Sequence, residues 1–171
     1  MNPGKEYVAM IREQNKSARS LPLYMAWEFM PRPIQRTVNY ESEVLDRLVK
    51  INRWQLPTSI RQLLGQPEWA LVVTDRWQTI QYVNEPFEQM TGYGLKEVVG
   101  QKPNFLQGIN TDLGARQRMK MAIEQEEPSK EIVLNYHKDG TTYWCDITIF
   151  PIRNDRQQLV SFIAFEQEVT L

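Results

Sequence analysis

The sequence contains a single cysteine, Cys145, and a single histidine, His137. A lone cysteine excludes an internal disulfide framework and makes the reducing cytoplasm the expected compartment. One histidine and one cysteine cannot supply the four ligands of a typical structural zinc site. No apolar run approaches the roughly 20 residues that span a bilayer, so no membrane is expected. Residues 1–14 lack the uninterrupted apolar core of a secretory signal. Neither sign of charge dominates: 20 basic and 21 acidic residues leave a net charge of −1, so nucleic acid is not an expected partner. Internal repeats and low-complexity tracts are absent. No Ser-His-Asp set, metal cluster or phosphate loop is spelled out, which argues against an enzyme.

What remains is a chain of 171 residues, 42% hydrophobic and 24% charged, sized for one globular domain plus an extension. Its grammar changes near residue 66. Before that point it reads as helices interrupted by prolines. Asn2 and Pro3 suit a helix start, with Tyr7, Met10 and Ile11 along one side. Leu21–Met30 is apolar and aromatic on nearly all sides, and such a segment needs a partner surface. Pro31 and Pro33 end it. Glu41–Trp54 is a better amphipathic helix, with Val44, Leu48 and Ile51 at spacings of four and three and Leu45 beside them. Thr58 or Ser59 can cap a short helix ending at Gly65. The apolar load, including Trp27, Phe29, Leu48 and Ile51, exceeds what one isolated helix pair buries. Leaving it in water costs on the order of 25 cal/mol per Å². These four residues therefore mark a candidate interface, with a homodimer or a protein partner expected. Packing onto the exposed face of the chain's own sheet is a compatible alternative.

From Pro67 onward the pattern is one of short strands. Trp69–Thr74 leads into a turn at Asp75-Arg76, and Thr79–Val83 alternates. Short helices follow at Asn84–Met90 and Leu95–Val99. Thr111 or Asp112 can cap a longer one running to about Glu126. Glu131–Tyr136, Thr142–Ile152 and Leu159–Gln167 are three further strands. The first two are joined by His137-Lys138-Asp139-Gly140, a hairpin in which Asp-Gly is expected to supply the positive φ angles. Five strands, two before and three after the helices, predict an α+β domain with short helices on one face of an antiparallel sheet.

Several of these segments also match a known family in order. Tyr82-Val83-Asn84 with Phe87, then Met90-Thr91-Gly92-Tyr93, Glu97-Val98-Val99-Gly100, and above all Gly100-Gln101-Lys102-Pro103-Asn104-Phe105-Leu106-Gln107-Gly108 resemble the LOV branch of the PAS sensor superfamily. Asn135–Gly140 with Tyr143-Trp144, Phe162-Ile163-Ala164 and Val169-Thr170 continue the resemblance to the end of the chain. It covers residues 67–171 as a LOV-like PAS domain and almost none of 1–66, the N-terminal helical extension. It implies a PAS fold, a five-stranded antiparallel sheet flanked by short helices with a pocket between them.

At the pocket the resemblance is uneven. The family's cysteine, which bonds covalently to flavin on illumination, falls at Pro103, and proline has no thiol. The family's phosphate-binding arginines fall at Asn104 and Lys120, and its Asn before the cysteine falls at Lys102. Gln107 and Asn135 are kept. A second Asn falls at Cys145, the redox-responsive Gln at Glu166, and a usual Gly at Ala164. Period two places Tyr143, Cys145, Ile147 and Ile149 on one face of their strand, and Phe162, Ala164 and Glu166 on one face of theirs. If Glu166 points inward, desolvation raises its pKa. Gln107, Asn135, Cys145 and Glu166 are thus either ligand contacts or parts of a filled core with Glu166 at its rim. His137, at a hairpin tip, is expected to be solvated.

The resulting expectation is a non-enzymatic, cytoplasmic signalling and protein-interaction module without LOV photochemistry, acting through a partner. No cofactor is required by this reading. The alternative is a redox or ligand sensor that still holds flavin or another small molecule. The ending at Val169-Thr170 is where the family usually continues into an output segment, so output through another protein or a longer parent chain is expected.

Overall fold

The computed structural model describes residues 38–64, 66 and 68–171, with side chains from residue 43. The sequence-predicted helices before residue 38, with Trp27 and Phe29, lie outside the described residues. The helices are α1 (Val38–Asn52), α2 (Thr58–Leu64), α3 (Glu85–Thr91), α4 (Leu95–Val98) and α5 (Leu113–Glu124), with a 3₁₀ turn at Pro103–Leu106. The strands are β1 (Trp54–Gln55), β2 (Ala70–Asp75), β3 (Ile80–Val83), β4 (Ser129–Tyr136), β5 (Thr142–Asn154) and β6 (Leu159–Val169).

All strand pairs are antiparallel. The five predicted strands run in the order β4-β5-β6-β2-β3. The sixth, β1, adds two residues along β5 beyond β4, pairing Trp54 with Asn154 and Gln55 with Arg153. Trp54 is therefore not the end of the amphipathic helix. Arg53 takes a positive φ of 53°, which stops α1 and turns the buried indole into the sheet. The chain from α1 onward belongs to the same compact unit as the sheet.

Within α1 the buried stripe is Leu45 and Leu48, while Ile51 faces outward at 45% exposure. Leu48, at 3% exposure, is a core residue of its own chain and is not available as an interface residue; only Ile51 of the described pair is.

Local chemistry sets the remaining joints. Asn84 caps α3: its Oδ1 accepts from Phe87 N at 3.1 Å and from Leu71 N at 2.8 Å, and its Nδ2 donates to Trp69 O at 2.9 Å. One buried amide thus ties the start of α3 to β2. Asp112, not Thr111, caps α5, accepting from Ala115 N at 2.7 Å. Thr111 instead donates to Leu134 O at 2.6 Å, tethering that loop to β4. In the β4–β5 hairpin only Gly140 takes a positive φ, 89°. Asp139 does not; its carboxylate accepts from the Thr141 backbone and hydroxyl instead. The turn is a three-residue loop with a left-handed glycine rather than a two-residue Asp-Gly turn. His137 is half-buried and stacks on Tyr143 with centroids 4.2 Å apart, so it is not the solvated tip residue expected.

On the face of the sheet toward α5, Ala115 and Met119 pack on Val133, Tyr143, Cys145 and Ile147. On the other face Leu71, Val73, Ile163 and Phe165 are also buried, so β2 is covered on both sides.

Candidate functional site

Beside that packed cluster the sheet, the 3₁₀ segment and α5 enclose a cavity of about 580 Å³. This lies within the roughly 300–1,000 Å³ typical of small-molecule sites. Three elements wall it. The sheet contributes Val72, Thr74, Asn135, Ile147, Ile149, Phe162, Ala164 and Glu166. Lys102, Pro103, Asn104, Leu106 and Gln107 come from the 3₁₀ segment, and Arg116, Met119, Lys120 and Ile123 are among those from α5. The predicted faces of β5 and β6 therefore do point inward, and the space between them is open despite Ala164.

Of the four predicted pocket residues, Gln107, Asn135 and Glu166 line the cavity and Cys145 does not. Ala115 and Met119 join Cys145 in the packed cluster, and it is fully buried behind the wall. Cys145 is thus a core residue. Burial first, then the neighbouring Glu166 carboxyl, pushes its thiol far above the ordinary range, so no thiolate is available.

The inner wall is polar at two points. Asn135, 2% exposed on β4, lies beside the Tyr143 hydroxyl. Its Oδ1 nevertheless accepts no hydrogen bond among the described residues. A buried amide oxygen without a donor costs about 1–3 kcal/mol, and the Tyr143 hydroxyl is likewise unpaired among the described residues. Glu166, 3% exposed on β6, has its carboxyl pushed up to about 7 by burial. The Cys145 thiol, 3.9 Å from Oε2, opposes that shift weakly.

The α5 and 3₁₀ sides are basic. Arg116, Lys120 and Lys102 all line the cavity. Lys120 pairs with Glu124 at 3.7 Å; Arg116 and Lys102 have no ion pair among the described residues. Arg116 escaped the sequence reading. The signal was present: it sits one helical turn before Lys120, and the Asp112 cap fixes the register that turns both toward the cavity.

The site approach depends on one glycine. A Cβ at Gly108 would overlap the ring of Tyr136 on β4, so only glycine lets the loop after Gln107 lie against the sheet.

Residues 58–171 match the PAS domain family. The chain belongs to the PAS domain family. Its relatives place it in the LOV-like branch. It is 34% identical over 114 residues to Phototropin-2 of Oryza sativa subsp. japonica, covering 65% of this chain and 13% of that protein. It is 35% identical over 114 residues to the Blue-light photoreceptor of Listeria monocytogenes, covering 65% of this chain and 45% of that protein. The LOV domain of the Erythrobacter litoralis EL346 blue-light activated histidine kinase superposes with a TM-score of 0.58 at 33% identity, over 62% of this chain and all of that one. The PAS chain thus spans less than half of these curated relatives. Among the described residues no helix is long and apolar enough to cross a membrane.

Proposed function

We propose that this PAS domain is a non-enzymatic cytoplasmic signalling module that works without a cysteinyl–flavin bond, passing a conformational change to a second copy or a protein partner. The observation that carries this reading is the separation of thiol and cavity. Pro103 lines the cavity and has no nucleophile, while the chain's one cysteine lies outside the lining and fully buried. Neither position can offer a thiolate to a ligand. The relatives' names tie their proteins to blue light, and the departure at Pro103 separates this chain from that use.

The open cavity favours a second, compatible reading as a ligand sensor. Flavin mononucleotide fits the character of the lining. Apolar walls from Val72, Ile147, Ile149 and Phe162 suit a planar ring system. Gln107, Asn135 and Glu166 would meet its polar edge, and Arg116, Lys102 and Lys120 an anionic tail. When bound, a flavin supplies redox chemistry; the protein's part is to hold and orient it.

The test is an absorption spectrum of purified protein soaked with flavin mononucleotide and desalted, before and after blue light. A retained flavin band that light does not bleach is expected, with Pro103→Cys converting it to one that bleaches and recovers. Reversible bleaching of the wild-type band would overturn the thiol-free reading. Loss of the band on desalting would remove the flavin reading and leave the interaction module.

A further inference from the structure

Glu166 is a carboxyl group in a setting that does not suit a carboxylate. Ala70 of β2 and Ile147 of β5 flank it in register, and neither donates a side-chain hydrogen bond. Cys145 of β5 stands 3.9 Å away, and an S–H is a weak donor. On β4, Asn135 offers an amide, while Glu131 is turned to Arg118 at 2.7 Å. Met90 of α3 presents no charge to the neighbouring cluster. The cations that share the cavity, Lys102, Arg116 and Lys120, belong to its other walls with Glu124. Among the described residues none forms an ion pair with Glu166.

A carboxylate held there lacks the two or three donors that normally satisfy one. The neutral acid needs far less and presents an O–H donor to the cavity. Asn135 lies two strands across from Glu166 and four residues along: it pairs with Tyr143, and Glu166 with Ile147.

We propose that ligand binding in this cavity takes up a proton: Glu166 engages the ligand as the carboxylic acid, donating its O–H to a carbonyl of a heteroaromatic ring. This rests on the ligand-sensor reading above and adds its regulation. Because burial pushes the Glu166 carboxyl up to about 7, the free protein gains and loses this proton around neutral pH. The ligand selects the protonated form, so one proton enters from water with each binding event above that pH. Affinity then falls as pH rises. An amide at this position donates at every pH, so E166Q binds without the proton.

The experiment titrates the full chain with riboflavin in dim light between pH 6 and 8.5. Riboflavin lacks the phosphate whose own ionisation would add a slope at the basic walls, and it does not titrate in this range. Wild-type Kd is expected to rise about tenfold from pH 7.5 to 8.5, with E166Q flat across the range. Infrared spectra of ligand-free protein supply an independent readout. A buried carboxylic-acid C=O band is expected at pH 6, reduced at pH 8.5 and absent in E166Q. A pH-independent wild-type Kd would overturn the proton coupling and leave the ligand reading standing. No riboflavin binding at any pH, with the acid band present, would overturn the ligand reading and the coupling with it. Absence of the acid band at pH 6 would overturn the proposal whatever the binding result.

Discussion

Cys145 Sγ lies 3.9 Å from Glu166 Oε2, with both side chains buried and only the carboxyl in contact with the cavity. The carboxyl penalises the ionised thiol, whereas the thiol's hydrogen bond favours the ionised carboxyl. Desolvation raises both, and the carboxyl raises the thiol further. Cys145 should therefore be inert in the folded protein. Alkylation by iodoacetamide at pH 8 is expected to run at least ~100-fold slower than in urea, because the thiol must await an opening that costs a few kcal/mol. Fast labelling of native protein would place the thiol within reach of the cavity.

Glu166 should also leave a signature in stability. Its carboxyl is raised from 4.5 to about 7 on folding. The folded state therefore holds the proton more tightly, and the group's contribution is fully present below 4.5. That contribution is lost as pH rises toward 7 and stays lost above it. The full difference is on the order of 3 kcal/mol. E166Q removes it, so the stability of E166Q relative to wild type should grow from pH 5 to pH 8 in urea denaturation. A constant difference would mean that the carboxyl is solvated in the native state.

Much of this fold was legible because its joints are made of side chains with local jobs. Asn84, Asp112 and Gly92 announce where helices begin and end, and period two on β5 and β6 identified the inward faces. The cavity's extent was not legible. Cys145 shares a face with Ile147 and Ile149, but Ala115 and Met119 of α5 pack over it, while Ile147 and Ile149 reach the cavity. Which part of that face α5 covers is a tertiary property. Trp54 was misplaced because a positive φ at Arg53 carries no side-chain signal, unlike the glycines at other turns. Arg116 was overlooked because the resemblance drew attention to Lys120 alone.

Gly108 and Tyr136 form a second close relationship. Gly108→Ala would force a methyl group into the Tyr136 ring, whose hydroxyl accepts from Asn110 N at 3.2 Å. The ring must move or the loop must lift. The expected cost is about 1–3 kcal/mol in thermal or urea unfolding. The double variant Gly108→Ala with Tyr136→Ala should recover part of it, because the obstructing ring is gone. Additive losses in the double variant would show that the methyl group meets something other than Tyr136.

The two apolar residues of α1 that periodicity placed together, Leu48 and Ile51, should part company on mutation. Leu48 is 3% exposed and Ile51 45%. Leu48→Asp buries a charge in the core and is expected to cost more than about 3 kcal/mol. Its effect on assembly would therefore be confounded by unfolding. Ile51→Asp places the charge in water and should leave the unfolding midpoint nearly unchanged. Ile51 is the described member of the predicted interface that remains available to a second copy. Light scattering of Ile51→Asp at increasing concentration is expected to give a lower mass than wild type. An unchanged mass in a variant with unchanged stability would move self-association off this face of α1.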